Sequence, residues 1–154
     1  MWLNHLLFVI GLLVSAYLFA LVEIQIEGRE GWAAGLPTWR IDNKFTRLLN
    51  GNRPLTGYHV YLHLFVLSML HSPFALGLAV PSWRAEARIF AFLILFWTVE
   101  DFLWFVANPA YGLKRFTPKH IPWHRRSWWG IMPRDYWIMP PIAGLLYWLS
   151  YYGL

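Results

Sequence analysis

The sequence predicts an all-α integral membrane protein, a bundle of four transmembrane helices with two long basic cytoplasmic loops, each carrying a short interfacial segment. Three observations predict it. Hydrophobic residues make up 58% of the 154 residues, which leaves too little polar chain to coat a soluble core. Four apolar stretches, about residues 2–22, 58–80, 85–106 and 136–152, approach the roughly 20 helical residues needed to cross a hydrocarbon core. Cations gather between spans one and two (Arg29, Arg40, Lys44, Arg47, Arg53) and between spans three and four (Lys114, Arg115, Lys119, Arg125, Arg126, Arg134). With four spans, both basic loops share one side, and the positive-inside rule puts them in the cytoplasm with the termini outside. One polytopic domain over residues 1–154, in an inner or plasma membrane, is the expectation.

Each element has its own signals. The first span lacks a basic leader and a clear small-residue cleavage site, so it reads as a retained helix rather than a signal peptide. It closes at Glu27-Gly28, a helix end with glycine just past it. The stretch 31–39 is apolar but broken by Gly and Pro, and reads as an interfacial or partly re-entrant segment. Asn43 then caps a short amphipathic helix bearing Phe45, Leu48 and Leu49, ended by Asn50-Gly51. Pro54 and Gly57 turn the chain into the second span, and Asn108-Pro109 stops the third. In the fourth, Pro140-Pro141 removes two backbone donors, so that helix is expected to start after the pair or to bend there. Tryptophans and tyrosines near the ends of the spans fit interfacial belts.

Against this apolar background the ionisable side chains carry the functional signal, because such groups are expensive to keep within spans. The set is Glu23 and Glu27, His59 and His63, Glu100 with Asp101, and the loop pair His120 and His124. Glu23/Glu27 and His59/His63 are spaced i,i+4, which stacks each pair on one helical stripe. His63 follows Tyr58 by five positions and Glu100 precedes Val106 by six, so the two reach roughly 8 and 9 Å below the same cytoplasmic edge. Clustered acids repel one another unless a proton or cation intervenes. Imidazole and carboxylate together suit zinc, iron or manganese, and a set of this size can hold two ions.

The expected metal ligands are therefore His59, His63, Glu100, Glu23, Glu27, Asp101, His120 and His124, with Glu23, Glu27 or Glu100 also available as catalytic bases. Pro122 separates the loop histidines and breaks any helical spacing there, and Asp101 points about 100° away from Glu100. His71 is expected to serve packing or a bridging hydrogen bond, and Glu86 a surface ion pair with Arg84 or Arg88.

The two His-x-x-x-His pairs resemble one of the histidine boxes of membrane fatty-acid hydroxylases and desaturases. The resemblance covers ten residues, and the His-x-x-His-His boxes and larger histidine set of those families are not present. It implies iron-dependent oxidation of a hydrocarbon chain.

The expected function is a metal-dependent membrane enzyme acting on a lipidic or apolar substrate through a dinuclear Fe or Zn centre. Oxidoreductase chemistry is preferred to zinc hydrolysis. A non-catalytic metal- or haem-binding subunit, sensor or electron-transfer protein is the alternative, and haem the weaker cofactor. Expected partners are the bilayer itself and anionic headgroups at the basic loops, which account for the cations without nucleic acid; the sequence leaves the oligomeric state open. There is no cysteine, which excludes thiolate nucleophiles and cysteine-ligated zinc or iron–sulfur centres. No HExxH, GxSxG or phosphate-loop motif occurs.

Overall fold

The computed structural model describes residues 2–153, with the side chain of Leu49 outside the described set. It is mostly helical. The order is α1 (Trp2–Glu27), β1 (Arg40–Ile41), α2 (Lys44–Leu49), β2 (Leu55–Thr56), α3 (Gly57–Ala75), α4 (Trp83–Ala107), β3 (Trp128–Trp129), β4 (Met132–Pro133) and α5 (Arg134–Tyr152), with two single 3-10 turns in the second loop.

α1 and α4 are long and apolar enough to cross a membrane by length and composition. α4 is the central helix, packed along α1 on one side and α5 on the other. His5 on α1 bonds Tyr147 near the end of α5 at 2.6 Å, and Arg84 at the start of α4 donates to the Gly153 carbonyl at 2.8 Å. At the opposite end Asn108 donates to the Gly28 carbonyl at 2.8 Å. The start of α1 and the end of α5 thus share one end of the helices, and both long loops share the other. α1 and α4 run parallel; α3 and α5 run back against them.

Where sequence and structure differ, the backbone gives the reason. α3 stops at Ala75 rather than continuing to residue 80, because Gly77 takes φ +69° and the following amides turn back onto Pro73 and Phe74. A left-handed glycine just beyond the last turn is a helix terminator. α5 begins at Arg134 and passes through Pro140-Pro141 instead of starting after them. Proline's fixed φ is already helical, so the pair removes two donors without forbidding the geometry, and packing on α4 holds the helix together. Nor is the bundle evenly packed. α3 meets α4 at few points, among them a His63–Trp97 ring stack and the His71–Glu86 ion pair, and among the described residues it has no extended packing on α1 or α5.

The loops are folded objects. Asn43 and Thr46 form a reciprocal capping box at the start of α2. β1 pairs antiparallel with β2, and β3 with β4, as two-residue ladders that the all-helical reading did not include. Buried Ile121, Phe105, Trp104 and Ala20 form the cluster that docks the second loop onto α1 and α4.

Candidate functional site

Beneath the two loops lies a cavity of about 290 Å³ bounded by α1, α3, α4, α5 and both loops. Seven of the eight expected residues line it: Glu23, Glu27, His59, His63, Glu100, Asp101 and His124. His120 does not. It is exposed on the second loop, where it faces Thr117 Oγ1 at 2.8 Å. The 117–120 turn and Pro122 place the two loop histidines on different faces, so the structure does not bring His120 to the cavity while His124 is buried in its wall.

Helix geometry explains the carboxyl groups. Glu23 and Glu100 are buried at 7% and 3% exposure on the facing helices α1 and α4, and both line the cavity as neighbouring acids. The Tyr58 hydroxyl donates to Glu23 at 3.0 Å, while Oε1 of Glu100 has no partner. Two carboxyl groups so placed need a shared proton or a cation between them. One turn above, Glu27 accepts from the Ala33 amide and stands 3.8 Å from His59 Nε2. Gly31, Trp32 and Ala33 all have positive φ, +60°, +48° and +51°. That left-handed turn aims the Ala33 amide at Glu27.

Trp32 becomes the centre of a stack. The Arg53 guanidinium lies 3.9 Å over the ring, and His59 stacks at 4.0 Å between ring centroids. The other nitrogen of His59 is held by Thr56 Oγ1 at 2.6 Å. His63 donates from Nδ1 to the His59 carbonyl at 2.6 Å, which leaves Nε2 as the unprotonated nitrogen of a neutral ring. A nitrogen fixed by a second hydrogen bond is the usual arrangement for a ligating histidine.

Asp101 joins the cavity rather than turning away. It accepts from the Tyr136 hydroxyl and lies 3.3 Å from His124 Nε2. Arg53 Nη1 is 3.4 Å from the same nitrogen, and its Nη2 is 3.7 Å from Asp135. Burial pushes the Arg53 guanidinium below its ordinary range, and Asp101 and Asp135 act against that. The Nδ1 of His124 is buried without a partner. Among the described residues no three His, Asp or Glu side chains converge on one point at metal-ligating spacing; the seven surround the cavity instead.

The outer-end expectations resolve simply. His71 bridges to Glu86 at 2.9 Å, so Glu86 pairs with that histidine rather than with Arg84 or Arg88. Sequence reasoning missed Arg53, Trp32 and Tyr136. Arg53 read as one more loop cation, and a tryptophan at positive φ leaves no sequence signal. Comparison with known proteins finds no matching family model, no similar curated protein and no similar solved structure.

Proposed function

We propose that the chain is a four-span protein of the inner or plasma membrane, with termini outside and basic loops in the cytoplasm. The cavity under the loops is the metal-dependent centre of an enzyme acting on a lipidic or apolar substrate. The membrane part is supported by how little of the apolar helices the fold covers. In the most apolar windows of α1 and α4 only 22% and 28% of residues are buried, whereas the core helix of a soluble protein is mostly buried. Leu3, Leu7, Ile10, Val14 and Leu18 of α1 all face outward, a surface that hydrocarbon covers at no cost. Lys114, Lys119, Arg125 and Arg126 stand exposed at the loop end, suited to anionic headgroups.

One observation carries the metal reading: the buried Glu23–Glu100 carboxyl pair, with an unpartnered Glu100 oxygen and with Glu27 and His59 one turn above. A divalent cation relieves the repulsion among these acids at once. Glu23, Glu27, Glu100 and His59 are the residues that would hold it, and His63, Asp101 and His124, which line the same cavity, would serve a second ion. A mixed oxygen and nitrogen set accepts iron or zinc. Oxygen-dependent chemistry on iron is preferred to zinc hydrolysis because the far wall, Ile94, Trp97 and Met139, offers hydrocarbon rather than water to a substrate. One carboxylate not engaged as ligand is the base. The alternative, a non-catalytic metal-binding subunit or sensor, has less use for a cavity of ligand size.

Metal analysis of purified protein tests this directly. Stoichiometric iron or zinc is expected, lost in Glu100→Ala and His59→Ala and retained in His120→Ala. Folded wild-type protein that takes up neither metal when supplied with it overturns the reading.

A further inference from the structure

The cavity is graded from polar to apolar along α4. Its roof holds Arg53, Glu27 and His124, while its floor is Ile94, Trp97 and Met139. Ile94, Thr98, Asp101 and Phe105 recur on one stripe of α4 that spans about 16 Å from floor to roof. Midway along the central helix, Ile94, Trp97 and Thr98 are only partly covered, because α3 stands off while α5 packs closely. Exposed His63 on α3 and Met139 on α5 mark the two sides of that gap. At this depth a bilayer presents hydrocarbon to it.

The cavity's unpartnered buried atoms define the chemistry that would fill it. Among the described residues, four atoms of the lining have no hydrogen-bond partner: the indole N–H groups of Trp97 and Trp104 and Glu100 Oε1 on α4, and His124 Nδ1 at the roof. The first three lie together on the central helix. They occupy i−3, i and i+4 on one helix, so both donors flank the acceptor. Buried polar groups in native structures are nearly always paired. A hydroxyl group, which accepts from one donor and donates to one acceptor, matches the Trp97 and Glu100 pair on the floor side; Trp104 lies a turn above, toward the roof. An anionic head does not: Glu23, Glu27, Glu100 and Asp101 surround the position, and Arg53 already faces Asp135 and lies on Trp32. A volume of about 290 Å³, at the small end of ligand pockets, admits one chain segment with a small head and excludes a two-chain phospholipid.

We propose that a single-chain lipid with a neutral hydroxyl head enters sideways between α3 and α5, its oxygen at Trp97 and Glu100 and its chain leaving past Ile94 and Met139 into the bilayer. This names the substrate class of the site above; it rests on the membrane placement and not on the metal.

The test uses the full chain in phosphatidylcholine nanodiscs and hexadecanol carrying a diazirine on its chain. Saturable photolabelling of the 94–98 segment and Met139 is expected, displaced by plain hexadecanol and several-fold weaker with the corresponding diazirine fatty acid. Ile94→Trp, which fills the floor, and Trp97→Phe, which keeps the ring and removes the N–H, each reduce labelling several-fold with metal content unchanged. Labelling that never saturates, that matches the level at Leu13 on the outer face of α1, or that favours the acid overturns the proposal. Stoichiometric metal without saturable labelling sinks this inference alone. Saturable labelling without metal sinks only the metal reading.

Discussion

At Glu100 the proposed centre sets stability and function in opposite senses. Its buried carboxyl beside Glu23 is a liability in the metal-free fold and, in the proposed centre, would be an asset once a cation is bound. Glu100→Gln is therefore expected to abolish metal uptake while raising the thermal midpoint of the metal-free protein by a few degrees, read by unfolding in detergent. Arg53 behaves in the opposite way. It is nearly enclosed, stacked on Trp32 and facing Asp135 and His124, so Arg53→Met strips a buried charge from its partners. A loss of about 3 kcal/mol in unfolding free energy is expected. The two residues were unequally legible. Glu100 stands out in sequence because a carboxylate amid apolar helix has few innocent explanations. Arg53 sits in a loop rich in cations, and only the fold reveals that it alone among them turns inward to line the cavity.

At the scale of elements, the roof segment 31–39 depends on a left-handed turn and on close approach. A Cβ at Gly31 would lie 2.5 Å from the Trp123 ring, at a φ of +60° that disfavours any side chain. Gly31→Ala is expected to cost about 1–3 kcal/mol, with a shift in tryptophan emission as Trp123 is displaced. Helix positions were legible because hydrophobic runs and the caps at Asn43, Gly28 and Asn108 all mark the same boundaries. The far end of α3 was not, since residues 76–80 remain apolar and only the backbone angle of Gly77 ends the helix. Pro140-Pro141 left two options, a start after the pair or a bend at it, and α5 rules out the first because tertiary packing outweighs two lost amide donors. His120 and His124 stand apart for a related reason: equal spacing in a loop does not place side chains on one face.

Across the whole molecule, the gathering of ionisable groups at one end was readable from helix rise alone, since His63 and Glu100 approach the loops from antiparallel helices. The uneven packing that leaves α3 apart was not readable, because it depends on which apolar faces find each other. The proposed orientation has its own check. The chain has no cysteine, so single cysteines introduced at Lys114 and Ser82 report sidedness without background. A membrane-impermeant thiol reagent is expected to label Ser82→Cys from outside and Lys114→Cys only after the membrane is opened; the reverse pattern contradicts the topology. The proposed histidine and carboxylate metal centre in the cavity is open to X-ray absorption on the purified metal-loaded protein. It predicts a first shell of nitrogen and oxygen at about 2.0–2.2 Å with imidazole scattering, lost in the His59→Ala, Glu100→Ala double variant. A metal shell unchanged in that variant would contradict the claim.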